Sequence, residues 1–467
     1  MKIVMFSINP LFPNKITGGA SKHLYHISRH LGGMGHEIEI LCARSVETQK
    51  PFVWSDGVNV LPILPFHLPF PQPYGVSGAE LGLMVSHLSS ALEKADRFYI
   101  HDSEWLISDL YESIPTITSV RDNVYPESIL GTYLTKADAV ICISDYSANV
   151  VRTTAGYYFP DLLNRIHKVN NGIEFSSFSR KPAQKLADQL GVDPEHDAII
   201  LHPHRPEAGK GLEETIRVTA QLVHKYQVPN IKVIIPEWIG EMVSSSESQF
   251  YKEMMELMDV LDVRKRFVFM PWLPNEKMPE LYSLGNVTLC LGSFVETFGN
   301  VAYESLACGT PSVVAKVGVH RTLLPDDMLA KVNYNDIDAA ANKAYEILKT
   351  RKSTSQETLD FLQTHLDFTK QVNAYASIIT HCQKQPRLQF KKPHIDQNTQ
   401  FWLAPWCYLD GNRIFNDYTS DFNEASNLSK LTAMKGKFSF SNAEDIGVSK
   451  SEWHSWRERT WITPVLA

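Results

Sequence analysis

A chain of 467 residues, 43% hydrophobic and 21% charged, has the makeup of an ordinary globular protein and the length of about three domains. Its formal charge of −7 argues against a generally basic nucleic-acid binder, and no run of about 18 apolar residues is present to span a bilayer. The cysteines at 42, 142, 290, 308, 382 and 407 show neither CxxC nor zinc spacing, which predicts reduced, buried thiols in a cytoplasmic protein without a metal site.

Ile3 to Ile8 reads as a short apolar strand and not as a signal peptide, because Asn9, Pro10 and Pro13 interrupt any longer apolar core. A loop bearing Gly18, Gly19 and Ala20 follows, where glycine permits positive φ and close approach of the backbone. The helix expected from about Ser21 carries Lys22, His23, His26, Arg29 and His30, a solvated basic face or else a peripheral contact with an anionic membrane. Phe98-Tyr99-Ile100 is a strand ending on His101, a position often held by a structural histidine. Asp138 to Ser144 reads as a buried strand leading into a helix, and Ser176 to Pro182 as a loop after Asn170-Asn171-Gly172-Ile173-Glu174.

The pattern then repeats. Ala198 to Leu201 is a buried strand by composition, and 212–226 has apolar residues at helical spacing. Between them, Arg205 and Lys210 place two cations on a glycine-bearing loop at a strand's carboxyl end, where open α/β sheets bind ligands. Taken alone, this is also an exposed cationic loop; it lacks the Gly-x4-Gly-Lys-Ser/Thr of a Walker loop. In Pro271-Trp272-Leu273-Pro274 the indole either stacks on a nucleobase or packs, with packing the preferred reading. Val295-Glu296-Thr297-Phe298-Gly299-Asn300-Val301-Ala302-Tyr303-Glu304 puts two carboxylates on either side of a glycine turn and a helix start. Helix amides there are unpaired and partially positive, suited to a diphosphate. Eight residues at ~100° overshoot two turns by only ~80°, so Glu296 and Glu304 fall roughly on one side. By spacing alone, an amphipathic helix with two incidental glutamates fits as well.

In this order, the motifs resemble the paired-glutamate signature of GT-B glycosyltransferases, specifically retaining family 4, the glycogen synthase- and mannosyltransferase-like group. The resemblance runs from Met1 to about Cys382. It implies an α/β, GT-B fold: two Rossmann-like doubly wound domains facing a cleft. An acceptor domain at 1–174 would be completed by a crossing helix at 367–382, a donor-binding domain would occupy 195–366, and 383–467 would be an extension of unknown role. It further implies that Arg205, Lys210 and the amides of Gly299, Asn300 and Val301 hold the diphosphate, with Phe298 beside them. Glu296 would hold sugar hydroxyls, His101 the sugar's other flank, Glu304 the ribose, and Gly18 and Gly19 the donor phosphate or acceptor. The co-substrate would be a UDP- or GDP-linked sugar, with no metal. A glycan, a lipid-linked glycan or a small molecule would be the favoured acceptor, with a lipid, a protein or a modified nucleic acid also open, and the resemblance implies a retained configuration. A GT-B sugar-nucleotide epimerase and a non-catalytic sugar-nucleotide-binding scaffold are the alternatives. One departure is Val317-Gly318-Val319-His320-Arg321, where the family often has two glycines and a Pro-Glu pair.

The remainder opens on a basic, proline-bearing linker and carries tryptophans at 402, 406, 453, 456 and 461. Ala443 to Trp456 has helix-turn-helix spacing, but Lys450, Arg457 and Arg459 are matched by Glu444, Asp445, Glu452 and Glu458. That balance favours a packing or acceptor-recognition appendage over a nucleic-acid partner.

Overall fold

The computed structural model describes residues 1–16, 18–66, 75–205, 207–237 and 245–465; Pro206 of the cationic loop lies outside them. The early apolar runs form an eight-stranded sheet: β1 (Lys2–Pro10), β2 (Glu37–Ala43), β3 (Phe52–Ser55), β4 (Val58–Leu64), β5 (Arg97–Ile100), β6 (Thr116–Val120), β7 (Ala139–Cys142) and β8 (Ile166–Lys168). Their order is β3-β4-β2-β1-β5-β6-β7-β8, parallel except for the β3–β4 pair. Ile3, Val4, Met5 and Phe6 are all buried. Both faces of such a sheet are covered, so successive side chains must be apolar instead of alternating.

A second, fully parallel sheet contains β9 (Ala198–Leu201), β10 (Ile231–Pro236), β11 (Phe267–Met270), β12 (Val287–Cys290), β13 (Ser312–Ala315) and β14 (Ala330–Val332), in the order β11-β10-β9-β12-β13-β14. In each sheet the chain leaves one strand toward one edge and later returns on its other side: β1 lies between β2 and β5, and β9 between β10 and β12. The crevice outside the carboxyl ends at such a reversal is the usual ligand site of open α/β sheets.

Four helices position the site: α1 (Gly18–Gly33), α2 (Asp145–Thr153), α3 (Asn300–Ala307) and α4 (Phe368–His381). After the second sheet is complete, α4 returns to the first, burying Tyr375, Ala376 and Ile379 among Ile3, Met5, Leu24 and Ile27. A side chain the size of Ile379 contributes about 1.5–3 kcal/mol when buried.

Much of the basic face of α1 turns inward. His23 is buried, Lys22 pairs with Glu304 at 3.2 Å, and His26 meets the Phe368 ring edge-on at 4.7 Å. Burial pulls His26 down to about 4, so it is neutral at pH 7. Of the five basic residues, Arg29 is exposed. Among the described residues no helix is long and apolar enough to cross a membrane. All six cysteines are free and buried, and burial pushes the Cys142 thiol up to about 12.

The C-terminal residues form a module with its own core. Strands Phe401–Leu403 and Ile462–Pro464 pair antiparallel, and Cys407–Asp410, Arg413–Asn416 and Asp421–Glu424 make a three-stranded antiparallel sheet. Trp406, Trp453, Trp456 and Trp461 pack among Phe401, Ile414, Leu428 and Phe438. The helix-turn-helix spacing therefore reflects packing: Ala443, Val448, Trp453 and Trp456 all face this core, and Gly447, at φ +87°, makes the turn.

Candidate active site

A cleft of about 1260 Å³ is lined from both sheets by residues that follow β1, β5, β9 and β12. On the second-domain wall, the loop after β9 brings Arg205 and Lys210 to the cleft, and the loop after β12 brings Phe294 to Val301. The Lys210 Nζ lies 2.9 Å from Glu296 Oε1 and 3.3 Å from the centre of the Phe294 ring. Burial alone would raise the Glu296 carboxyl, but Lys210, His320 and Arg205 together hold it below the usual range, so it is a carboxylate at neutral pH.

Helix α3 starts immediately beyond. Gly299 is its N-cap in the left-handed region, at φ 74°, and no side chain caps the first turn. The leading amides therefore lack helical partners, and the positive end of the helix faces the cleft. Gly299 is irreplaceable on a second count: a Cβ there would stand 2.3 Å from His320 Cε1. The His320 ring is paired through Nδ1 with the Tyr303 hydroxyl at 2.9 Å. Burial, outweighing the pull of Glu296, takes His320 down to about 4, and burial beside Lys210 takes His204 to about 3. Both rings are neutral at pH 7. The His204 Nε2 has no hydrogen-bond partner among the described residues.

The first-domain wall is built differently. Gly18, at φ 77°, starts α1, and a Cβ on Gly19 would stand 3.1 Å from Asn300 Nδ2, so two helix starts from different domains converge. Asp102 follows β5 in the left-handed region at φ 64°. Its Oδ2 accepts from Ser7 Oγ at 2.5 Å and Asn9 Nδ2 at 3.0 Å, and its Oδ1 lies 3.0 Å from His101 Nε2. Arg121 contacts His23, and its carbonyl accepts from Thr297 Oγ1 at 2.6 Å, tying the walls together.

Gly18, Gly19, Arg205, Lys210, Glu296, Phe298, Gly299, Asn300 and Val301 thus share one cleft. Two residues expected there do not join its lining. His101 is fully buried; its Nδ1 pairs with the Tyr99 hydroxyl at 2.8 Å, and its Nε2 donates to the Ala20 carbonyl at 3.0 Å. Both of its ring nitrogens are engaged within the first domain. Glu304 is taken by Lys22 at 3.2 Å and by the Tyr282 hydroxyl at 3.2 Å. Trp272 goes the other way: it lines the cleft and is 49% exposed instead of packed inside.

Sequence reasoning missed Asp102, Arg121, His204 and His320 as cleft residues. Asp102 was adjacent to a flagged histidine, but only its positive φ turns it outward. His320 lies in a motif that departs from the family pattern, and its place over Gly299 is set by a tertiary contact.

Two sheets with facing switch-point crevices and a helix start between them make the GT-B architecture, and comparison with known proteins places the chain among glycosyltransferases. The model for glycosyl transferases group 1 matches residues 185–358, and that for glycosyltransferase family 4 matches residues 17–177. D-inositol 3-phosphate glycosyltransferase 1 of Catenulispora acidiphila is 24% identical over 64% of this chain and 75% of its own. Among solved structures, sucrose-phosphate synthase from Thermosynechococcus elongatus aligns with a TM-score of 0.67 at 16% identity, covering 81% of this chain and 98% of its own. HepE from Anabaena, solved with UDP and glucose, aligns with a TM-score of 0.65 at 18% identity, covering 81% and 99%. The chain belongs to the family 4 glycosyltransferases, enzymes that transfer a sugar.

Proposed function

We propose that this enzyme moves a sugar from a nucleotide-diphosphate sugar to an acceptor hydroxyl with retention of configuration, without a metal. The observation that carries this reading is the convergence of Arg205, Lys210 and the uncapped start of α3 on one cleft. HepE, with UDP in the matching fold, supports a UDP-linked donor. Trp272, half exposed on the same wall, offers a flat apolar surface for the base.

In the reaction, the acceptor oxygen bonds to the anomeric carbon from the leaving group's side as the bond from that carbon to the phosphate oxygen breaks. The hydroxyl proton passes to the departing phosphate, and the nucleoside diphosphate leaves. Arg205, Lys210 and the amides of Asn300 and Val301 meet the charge that develops on that phosphate, which is catalysis by preorganised electrostatics. Lys210 exchanges Glu296 for the diphosphate, and the freed carboxylate takes sugar hydroxyls. Neutral His204 is placed to donate without adding a second charge. Asp102 lines the cleft on the acceptor side, held by Ser7 and Asn9. The ribose contact of Glu304 requires Lys22 to release it.

The test is turnover with the intact protein. UDP- or GDP-sugar together with candidate acceptors should give a glycoside with the donor's anomeric configuration, read by NMR. Inverted product refutes retention, and conversion of the sugar nucleotide without acceptor points to an epimerase.

A further inference from the structure

The residues beyond Cys382 lie outside both family matches, yet they are built into the back of the site. Val295, just before Glu296, and Val319, just before His320, belong to the apolar core that holds Phe401, Trp406, Ile414 and Trp461 of the C-terminal module. Tyr146 and Val150 of α2 enter the same core from the first domain.

At the centre of this contact is Asp417, 1% exposed. Its carboxylate accepts from both terminal nitrogens of Arg321, at 2.8 Å from Nη2, from the Gly318 amide at 3.3 Å, and from the Tyr146 hydroxyl at 2.7 Å. Arg321 also donates to the carbonyls of Lys316 at 3.1 Å and Pro405 at 2.9 Å. One carboxylate therefore gathers the first domain, the second domain and the module.

The loop held this way is only one layer thick. On its far side the Val319 amide donates to the Glu296 carbonyl at 2.8 Å, and a Cβ on Gly318, at φ +56°, would stand 2.2 Å from that same oxygen. His320 in turn packs over Gly299 at the start of α3. Any shift at Arg321 passes directly to the backbone of Glu296 and to the helix start.

We propose that Asp417 is a positioning residue for the sugar–diphosphate site, and that the C-terminal module is a brace that fixes loop 317–321 against it. This rests on the donor reading above. A greasy plug of equal volume would fill the space, and buried ion pairs are often replaceable in that way without loss of stability. Only a directed acceptor fixes the Gly318 amide and the Arg321 fork together. Misplacement of about 1 Å at a catalytic site is enough to cost up to about a hundredfold in rate.

The difference between bracing and mere packing gives the experiment. Asp417→Asn strands a buried guanidinium, so it should lower both the melting temperature and, by tenfold or more, the affinity for UDP or GDP measured by calorimetry. The double variant Asp417→Leu/Arg321→Met removes both charges; it should recover the melting temperature while nucleotide affinity and transfer stay low. Affinity that recovers along with stability overturns the brace. Hydrogen exchange on the wild-type protein needs no variant to fold: saturating nucleotide should slow the amides of 317–321 and of 405–418 together. Protection that stops at residue 321 also overturns it. If wild-type protein binds none of UDP, GDP and ADP, the donor reading fails, and the role of Asp417 fails with it; unchanged binding in the variants sinks the brace alone.

Discussion

The two walls of the cleft hold their charges in opposite ways. On the second-domain wall, Lys210 pairs with Glu296 at 2.9 Å and Arg205 with Glu207 at 3.5 Å, ion pairs that open onto the cleft beside the uncapped start of α3. On the first-domain wall, polar groups are already satisfied: Asp102 by Ser7 and Asn9, His101 by Tyr99 and Ala20, Arg121 by His23. Cations in ion pairs beside an open helix start make a wall that an anion can enter, and hydrogen-bonded networks make a wall that holds shape. Variants on the two sides should therefore fail in different ways.

Lys210→Ala gives the largest effect. Removing one preorganised donor to a developing anion costs about 10²–10³-fold in kcat. The fold should persist, with a melting temperature lowered by the Glu296 carboxylate left unpaired on the same wall; steady-state kinetics with a thermal melt checks both. Gly299→Ala comes next, because it forces a left-handed residue and a Cβ 2.3 Å from the His320 ring. Strain of this kind is worth about 1–3 kcal/mol, and the displaced helix start should weaken nucleotide binding about tenfold or more. Adding His320→Ala relieves the clash but not the backbone strain, so recovery should be partial.

On the opposite wall, His101→Gln should cost about 1–3 kcal/mol of stability through unpaired buried groups while nucleotide affinity stays within about threefold. A large affinity loss with unchanged stability would return His101 to the site and erase the contrast between the walls. The last contrast is with pH. His204 and His320, pulled down to about 3 and about 4, take up protons in the unfolded chain before they do in the folded one. Their contribution to stability is complete above an unfolded pKa of about 6.5 and is lost as pH falls toward those values, at about 1.4 kcal/mol per unit for each ring. Melting temperatures at pH 7 and pH 5 should fall accordingly, with a shallower slope in His320→Gln.

What was legible in the chain follows the same division. The second-domain wall is written in contiguous stretches, 202–211 and 295–304, because a strand, a tight loop and a helix start place neighbouring residues together. Glycine, arginine and lysine at those positions announce their task. The first-domain wall depends on contacts between distant segments. The hydrogen bonds that occupy His101 come from Tyr99 and Ala20, and the cation that covers Glu304 comes from Lys22, 282 residues away in the chain. Periodicity puts Glu304 roughly on the side of Glu296 but says nothing of what another domain brings to meet it. The C-terminal module was legible as a packed, tryptophan-rich unit, whereas Asp417, one acid among many in a loop, acquires meaning only through Arg321 and Tyr146.

The central claim is that one cleft grips a diphosphate with two cations and a helix start. Calorimetric titration of the intact protein with UDP and with uridine, repeated for Arg205→Ala and Lys210→Ala, tests it most directly. The diphosphate should bind and the nucleoside should not, with each variant losing most of that difference. Equal binding of UDP and uridine, or variants that bind UDP as the wild type does, would contradict it.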